Sequence, residues 1–300
     1  MYRGRFAPSP TGDLHFGSLL AATASYLEAR SRQGQWLLRM EDIDPPREVP
    51  GAAGRILRAL EAYGFAWDGE VLYQSRRDEA YRAALERLIA DGHIYACRCS
   101  RREALEDSAA AGLAPGVYAG RCREARLPLS AHAALRVCTK GALIEFTDGI
   151  HGIQKQNLER EIGDFIVRRA DGLWAYQLAV VVDDAAQDIS DVVRGCDLLD
   201  STPRQIHLQH LLGLPTLRYL HLPIALNAAG EKLSKQTYAQ PLPLDDPRPL
   251  LYRALKFLGQ NPPPDLPHAP LAELWQWAMK HWTAAAIPRV RALPASALSD

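Results

Sequence analysis

The opening 95 residues alternate short apolar runs with longer segments of helical character, and this alternation constrains the fold more than any other feature. Residues 3–7 predict a first strand, and residues 36–40 predict a second, buried strand. Helices are predicted over residues 16–30, 52–63 and 78–90. Strands that alternate with helices favour a parallel sheet covered by helices. The predicted fold class is therefore α/β.

Composition and charge exclude several classes of protein. The chain has 300 residues, of which 47% are apolar and 23% charged, a globular balance that argues against disorder, collagen and coiled coil. Thirty-five basic residues oppose 35 acidic ones, so binding of nucleic acid through bulk positive charge is excluded, although a local basic face is not. No apolar run reaches the ~18 residues of a membrane span, and the N-terminus lacks a signal-peptide core. We expect a cytoplasmic protein with no membrane partner.

The alternation of strand-like and helix-like segments stops at Cys97, and we divide the chain into four segments. We expect the first half of an α/β core in residues 1–95, a cysteine-bearing insertion in 96–160, the second half of the core in 161–240 and a small helical unit in 241–300. The chain contains no internal repeat that would suggest another organisation.

Further elements are predicted beyond the insertion boundary. Apolar runs over residues 143–147, 164–167 and 176–182 predict strands, the last of which ends at Asp183 and Asp184. Residues 203–212 predict a helix. These elements would complete the core.

The first segment with chemical content is residues 8–18, PSPTGDLHFGS, where the first strand turns into the first helix. Ligands bind at such points in open α/β sheets, and the N–H groups of a helix N-terminus suit a phosphate. Gly17 removes a side chain where a nucleotide could lie against the helix, and His15 could donate to a phosphate oxygen. The alternative is a structural turn with an incidental histidine, because the segment is neither a Walker loop nor a GxGxxG fingerprint.

The second segment is residues 231–236, EKLSKQ. The ammonium groups of Lys232 and Lys235, with the hydroxyl of Ser234 between them, can hold a triphosphate and follow its charge as it shifts. The alternative is an exposed polar loop. Composition argues against that alternative, because only six of the 35 basic residues are lysines and two of them lie here.

Together the two segments resemble the HIGH and KMSKS signatures of the class I aminoacyl-tRNA synthetases, with residues 15–18 (HFGS) as the first and residues 232–236 (KLSKQ) as the second. The chain departs from the signatures at Phe16, Ser18, Leu233 and Gln236.

Two further runs, residues 5–12 (RFAPSPTG) and 39–47 (RMEDIDPPR), narrow the resemblance to the glutamyl and glutaminyl branch. The resemblance covers about residues 3–240. It implies a Rossmann-like catalytic core with a zinc-bearing α/β insertion, a small C-terminal helical unit and no anticodon-binding domain.

The resemblance also implies an activity, the formation of glutamyl-adenylate from L-glutamate and ATP, with Mg²⁺ on the ATP phosphates. The residues that it assigns to glutamate are Arg5, Ala7, Ser9, Glu41, Tyr176 and Arg194. Those that it assigns to ATP are Pro8, His15, Gly17, Ser18, Lys232, Ser234 and Lys235. His15, Lys232 and Lys235 are the catalytic residues among them, because they would stabilise the charge of the leaving pyrophosphate.

Charge supports glutamate as the amino acid. A pocket for glutamate needs cations at both carboxylates and an anion near the ammonium group. By the resemblance, Glu41 faces the ammonium group and Arg194 the side-chain carboxylate, so neutral glutamine would leave a cation unpaired. The alternative for Arg194 is a surface ion pair with Asp191 or Asp197.

Cysteine spacing predicts a metal site in the insertion. Cys97, Cys99 and Cys122 are three of five cysteines and lie within 26 positions, which suits Zn²⁺ or reduced thiols better than disulfides. His93 and His132 are near enough in sequence to be the fourth ligand, whereas the resemblance points to a phenolate, that of Tyr118. The zinc would be structural, one ion per chain; reduced thiols without metal are the alternative.

Length indicates which branch of the family the chain represents. Only 64 residues follow Gln236, enough for one small helical unit. The chain therefore resembles a stand-alone paralogue of glutamyl-tRNA synthetase without an anticodon reader. This resemblance implies transfer of glutamate to the queuosine base at the anticodon wobble position of tRNA(Asp). We also expect a monomer. A truncated synthetase that charges the tRNA 3′ end is one alternative. A catalytically inactive, zinc-containing RNA-binding paralogue is the other.

Overall fold

The computed structural model describes residues 1–114, 116–129, 132–233 and 240–295. In chain order its strands are β1 (Arg3–Phe6), β2 (Gln35–Met40), β3 (Leu72–Tyr73), β4 (Ile94–Cys97), β5 (Ala134–Val137), β6 (Leu143–Asp148), β7 (Gly152–Asn157), β8 (Phe165–Arg168), β9 (Asp191–Gly195), β10 (Arg218–Leu222), β11 (Ile224–Leu226) and β12 (Ala292–Pro294). Its α-helices are α1 (Phe16–Ser31), α2 (Ala52–Ala62), α3 (Asp78–Ala90), α4 (Arg101–Ala110), α5 (Leu158–Glu161), α6 (Tyr176–Ala186), α7 (Thr202–Leu211), α8 (Arg248–Phe257) and α9 (Leu271–His281).

The N-terminal part forms a parallel sheet in the order β1-β2-β3, with α1 connecting the first two strands. The predicted strands and helices of this part are confirmed to within about one residue, and so is the α/β class. Trp36, Leu38 and Met40 alternate into the core from β2, while Leu19, Leu20 and Leu27 of α1 cover them. This packing places the loop between β1 and α1 at the carboxyl edge of the sheet.

A second sheet lies beside the first, in the order β7-β6-β10-β9. Strands β9 and β10 run parallel, while β6 and β7 form an antiparallel hairpin. The backbone N–H of Ser190, just before β9, donates to the carbonyl of Arg3 in β1 over 2.9 Å. The carboxyl ends of β1, β2, β9 and β10 therefore open on the same side of the protein.

The cysteine-bearing part is built around a third sheet, in the antiparallel order β4-β5-β8. The buried carboxylate of Asp164 anchors it by accepting hydrogen bonds from Tyr95 (2.5 Å), Arg123 (2.9 Å) and Thr139 (2.8 Å). The Ser-x-x-Glu pattern of residues 100–103 predicts a capping box, and the structure confirms it, since Ser100 and Glu103 bond to each other's backbone at the start of α4. The proposed segment boundaries stay predictions, although this sheet draws strands from both sides of residue 160.

The strand predicted over residues 176–182 is wrong, because the structure places these residues in α6. Helix α6 packs against α3 and α7, and Leu178, Ala179, Val180 and Val181 are all buried. A helix buried on most of its circumference has the same continuous apolar run as a buried strand, so periodicity cannot separate the two. The difference matters because the helix carries Asp183 and Asp184 back into the core.

Helices α8 and α9 lie in the segment predicted to be helical and pack on α1, with which they share one hydrophobic core. Trp275 of α9 enters an aromatic cluster, with its ring 5.0 Å from those of Tyr26 and Phe65. Its indole N–H donates to the carbonyl of Tyr63 over 2.9 Å. Within the described residues no helix combines the length and the apolar character that crossing a membrane requires.

We predict that Trp275→Ala lowers the free energy of unfolding by about 3–5 kcal/mol, because it leaves a cavity in the aromatic cluster. Trp277→Ala is the matched control: this ring stacks on His281, 4.7 Å away, on the same helix, and is only partly buried. Urea denaturation followed by circular dichroism measures both changes. Equal losses for the two variants would contradict the role given to the cluster.

Candidate active site

A cleft of about 940 Å³ opens at the carboxyl ends of the parallel strands. The sequence-predicted residues that line it are Arg5, Ala7, Pro8, Ser9, His15, Gly17, Ser18, Glu41, Tyr176, Arg194 and Lys232. Ser234 and Lys235 lie outside the described residues. The fold therefore brings together side chains that are almost 230 positions apart in the chain.

One end of the cleft is the N-terminus of α1. His15 caps this helix: its Nδ1 accepts the backbone N–H of Ser18 at 3.4 Å, and its own backbone is extended. A neutral ring that accepts at Nδ1 carries its proton on Nε2, which makes Nε2 a donor. A Cβ at Gly17 would lie 3.0 Å from the His15 ring, so glycine leaves room for the ring at this point. The positive end of the helix and an imidazole donor together suit a phosphate.

Lys232 lies on the opposite wall of this end. Its Nζ is 2.6 Å from the carboxylate of Asp197, and the lysine side chain is 43% exposed. Asp197 belongs to the short 3-10 turn that follows β9. The backbone N–H of Leu233, the next residue, donates to Ala225 in β11 over 2.8 Å, which fixes the start of the second sequence motif against the cleft.

The opposite end contains a buried network of ions. The carboxylate of Asp184 binds two guanidinium groups, Arg5 at 3.1 Å and Arg39 at 2.8 Å. Burial opposes the ionised form of Asp184, but the two guanidinium groups lower the pKa of that carboxyl below its usual range. Glu41 lies 3.5 Å from Arg39. Asp184 is thus the counterion that holds Arg5 and Arg39 beside Glu41.

The negative charge of Glu41 is only partly balanced by the cations of this network. Its side chain is 10% exposed, and burial raises the pKa of its carboxyl even though Arg39 and Arg5 oppose the shift. A cation entering the cleft next to Glu41 would restore the ionised form. The ammonium group of an amino acid is such a cation.

Arg194 lies on β9 and is 5% exposed. No carboxylate of the described residues pairs with its guanidinium group. The ion pairs considered from sequence are wrong, because Asp191 binds Arg218 at 2.5 Å and Asp197 binds Lys232. Its neighbours are neutral: Nη1 donates to the Tyr176 hydroxyl over 3.4 Å, and Nη2 to the Thr202 hydroxyl over 2.8 Å. A buried cation with only neutral partners favours an anionic ligand.

Three thiols form a separate cluster in the cysteine-bearing part. The sulfurs of Cys97, Cys99 and Cys122 all lie within 4.8 Å of one another. The Tyr118 hydroxyl is 3.4 Å from the sulfurs of Cys97 and Cys99 and accepts the backbone N–H of Cys122. Neither His93 nor His132 belongs to the described cluster. Ligands of a tetrahedral zinc at Zn–S of about 2.3 Å lie about 3.8 Å apart, so these residues could hold a metal ion.

The protonation of the cluster is also compatible with a metal ion. Burial opposes the Cys122 thiolate, but hydrogen bonds from Tyr118 and from backbone and thiol neighbours lower the pKa of Cys122 to about 7. Burial raises the pKa of Cys99 to about 11 and that of Tyr118 further still. A cation among these groups would favour their ionised forms.

Comparisons with known proteins agree with this geometry. The family model of the catalytic domain of the class I tRNA synthetases (E and Q) matches residues 1–264. The chain belongs to this family. Two curated relatives are named glutamyl-Q tRNA(Asp) synthetase. The one from Aromatoleum aromaticum is 56% identical over 288 residues, which span 96% of this chain and 91% of the relative. The one from Dechloromonas aromatica is 57% identical over 290 residues, 96% of each.

Solved structures show the same synthetase fold. A glutamate tRNA ligase from Elizabethkingia meningosepticum, crystallised with its amino acid, superposes with a TM-score of 0.80 at 24% identity. The glutamate-tRNA synthetase of Elizabethkingia anophelis gives the same values. Both superpositions cover 97% of the present chain, which spans only 66% and 67% of the two solved chains.

Some residues of the site carry no recognisable sequence signal. Asp184 was predicted to follow a strand, and only its position in a helix explains why it reaches Arg5 and Arg39. Asp148 and His221 are fully buried behind Arg194, where the Nδ1 of His221 lies 2.6 Å from the carboxylate of Asp148. Seventy-three positions separate them, so only the pairing of β6 with β10 brings them together.

Proposed function

We propose that this synthetase activates L-glutamate with ATP, without tRNA, and transfers the glutamyl group to the queuosine base at the wobble position of tRNA(Asp). The observation that carries the choice of glutamate is the buried Arg194, which has no carboxylate partner among the described residues. The acceptor is supported by relatives named glutamyl-Q tRNA(Asp) synthetase, which the chain matches over 91% or more of their length. A monomeric state and a cytoplasmic location stay predictions from the sequence.

The cleft orients glutamate by charge. We assign the side-chain carboxylate to Arg194 and Tyr176, the ammonium group to Glu41, and the α-carboxylate to the side of Arg5. Ala7 and Ser9, on the loop after β1, line the wall between the two ends. Because each charged group of the ligand meets the opposite charge, glutamate would bind in a single orientation.

In this orientation the α-carboxylate faces the nucleotide. An oxygen of the α-carboxylate forms a bond to the α-phosphorus of ATP, and the bond from that phosphorus to pyrophosphate breaks. Pro8, Gly17 and Ser18 line the nucleotide side of the cleft. His15 Nε2 and Lys232 are assigned to the charge on the departing pyrophosphate. Lys235 is assigned to the same task, and Ser234 to the binding of ATP, on their motif alone. Mg²⁺ accompanies the phosphates of ATP as part of the substrate.

Transfer then follows without a covalent enzyme intermediate. A hydroxyl of the acceptor nucleoside attacks the acyl carbon of the mixed anhydride, an ester bond forms, and AMP leaves as the hydroxyl proton is lost. Positioning and electrostatic stabilisation provide the catalysis in both steps. The protein supplies no nucleophile.

Zinc is the metal that we propose for the thiol cluster, with Cys97, Cys99, Cys122 and Tyr118 as its ligands. Three thiols and a phenol are a donor set that suits Zn²⁺ better than Mg²⁺. The cluster connects the end of β4 to the loop that follows α4, so its role would be to hold this part together. It takes no part in the chemistry of the cleft.

We predict one zinc ion per chain, and Cys99→Ser lowers this content at least tenfold because it removes a thiolate. Cys138→Ser is the matched control, since Cys138 lies outside the cluster. Elemental analysis of the purified variants measures zinc directly. Tyr118→Phe should reduce zinc affinity but leave the three thiols able to bind. Equal zinc in all variants would assign the metal elsewhere.

We predict that Arg194→Gln lowers kcat/KM for glutamate by a factor of about 10² or more, because the side-chain carboxylate loses a buried cation. Glutamine should suffer much less, so the preference for glutamate falls. Arg218→Gln is the control: it is an equally sized change on the neighbouring strand, with a largely exposed side chain bound to Asp191. Amino-acid-dependent exchange of pyrophosphate into ATP measures the three proteins. A proportionate loss for both amino acids would contradict the assignment.

The acceptor is tested with labelled glutamate, ATP, Mg²⁺ and two tRNA preparations, one from cells that make queuosine and one from cells that cannot. We expect label only on the queuosine-containing RNA. Equal label on both would establish charging of the 3′ end. Label on neither, together with no pyrophosphate exchange, would favour the inactive RNA-binding paralogue.

A further inference from the structure

We propose that Asp148 and His221 form a positioning relay that fixes the guanidinium group of Arg194 and thereby sets the preference for an acidic over an amide side chain. The inference rests on the proposed function and adds two specificity residues that do not line the cleft. Neither residue belongs to the sequence motifs of the site.

The first contact of the relay joins two strands. Asp148 ends β6, and His221 lies in β10 with 0% of its surface exposed. The carboxylate of Asp148 uses Oδ1 to accept the backbone N–H groups of Ile150 (3.0 Å) and His151 (2.9 Å). Its Oδ2 lies 2.6 Å from Nδ1 of His221. Both oxygens of Asp148 therefore have fixed partners, and the carboxylate cannot rotate without breaking them.

This contact decides the tautomer of the imidazole. An ionised carboxylate only accepts, so Nδ1 of His221 carries the proton and donates it. Burial is the main reason that the pKa of His221 falls to about 4; Arg194 and His151 lower it further, while Asp148 opposes the shift. Hydrogen bonds from His221 and from backbone N–H groups keep the pKa of Asp148 below its usual range despite burial. At neutral pH the ring is uncharged, and its Nε2 is an acceptor.

The second contact of the relay joins the acceptor Nε2 of His221 to Arg194. The Nε of Arg194 donates to Nε2 of His221 over 3.1 Å. On the same edge, Nη2 donates to the Thr202 hydroxyl (2.8 Å), which itself lies 3.1 Å from Nε2 of His221. Nη2 also donates to the Leu198 carbonyl over 3.4 Å. The Nε and Nη2 atoms of the planar group are thus held by acceptors of the protein. Among the described residues, Nη1 has the Tyr176 hydroxyl as its partner, at 3.4 Å. The N–H groups of Nη1 are therefore available to the ligand.

A fixed guanidinium group discriminates more sharply than a mobile one. The carboxylate of glutamate offers acceptors and a negative charge to Nη1. The amide of glutamine offers one acceptor, no charge and an NH₂ group that cannot accept. If the guanidinium group could turn, it would adjust to the single carbonyl oxygen and recover part of the binding energy. The relay prevents this adjustment, and the uncompensated buried cation disfavours glutamine.

Asp148→Asn tests the relay because it can place a hydrogen-bond donor, the amide NH₂ group, where the carboxylate accepts from His221. If the asparagine oxygen stays on the two backbone N–H groups, its NH₂ group faces Nδ1 of His221 and shifts the ring proton to Nε2. Nε2 then presents N–H to the N–H of Arg194, and the guanidinium group must move. The opposite amide orientation places NH₂ against two backbone donors instead. We expect the KM for glutamate to rise about tenfold or more, a smaller change for glutamine, and an unchanged KM for ATP.

Variants at His221 keep the proposal testable if Asp148→Asn is unstable. His221→Gln places an uncharged acceptor where Nε2 was and should retain most of the glutamate preference. His221→Leu removes the acceptor and should lose the preference as Asp148→Asn does. His151→Gln is the matched control, since the hydrogen-bond partner of the His151 ring among the described residues is the backbone carbonyl of His221, at 3.1 Å, and not its imidazole. A purely structural role would make His221→Gln and His221→Leu alike in their glutamate-to-glutamine ratio.

Nitrogen NMR of the ¹⁵N-histidine-labelled enzyme measures which ring nitrogen of His221 is protonated, and it requires no catalytic turnover. We expect His221 to be protonated at Nδ1 only, from pH 8 down to about pH 5. Protonation at Nε2, or a charged ring at neutral pH, would overturn the relay. An enzyme with this NMR signature that fails to exchange pyrophosphate with glutamate would refute the proposed function and leave the relay in place. An active enzyme whose glutamate-to-glutamine ratio is unchanged by Asp148→Asn would refute the relay alone.

Discussion

The ion network around Asp184 is the interaction on which the rest of the site depends. Its carboxylate, near the end of α6, neutralises guanidinium groups that come from β1 and β2, two neighbouring strands of the first sheet. Breaking a buried pair of this kind by removing one partner costs about 3–5 kcal/mol, because the remaining charges stay buried without compensation. The carboxylate therefore ties the helix to the sheet and also determines which charges remain for a ligand.

The same principle applies throughout the cleft. The charged groups described in the cleft fall into two sets: some have a counterion of the protein, and others are short of one where we place an opposite charge of the ligand. Arg5 and Arg39 are matched, whereas Glu41 and Arg194 are not fully matched. Unmatched buried charges lower the stability of the protein without ligand. A ligand offsets this loss only when its own charges lie next to the opposite charges of the protein. Recognition of a small zwitterion with an acidic side chain then needs few contacts.

Local signals in the sequence predicted the elements that depend on neighbouring residues. The turn at residues 8–12, the capping box at Ser100 and the apolar run of β2 are all recognisable within about ten positions. The described residues that the motifs single out line one cleft, and their roles remain proposals. What could not be predicted depends on tertiary pairing. Helix α6 was mistaken for a strand because it is buried on several sides, and the contacts of Arg194 with His221 and Thr202 exist only once β9, β10 and α7 have assembled.

The last described strand of the chain has a consequence for how the enzyme can be engineered. β12 pairs in parallel with β11 in a two-stranded sheet, and the N–H of Ala295 closes on the carbonyl of Leu226 over 2.8 Å. β11 lies six residues before Lys232 and carries part of the cleft wall. Affinity tags, fusions and deletions at the C-terminal end would therefore act on a wall of the cleft, although they lie far from it in sequence. Attachment at the N-terminal end has its own constraint, since β1 begins at Arg3, so an exposed turn such as Asp91 and Gly92, between α3 and β4, is the more neutral place for a label.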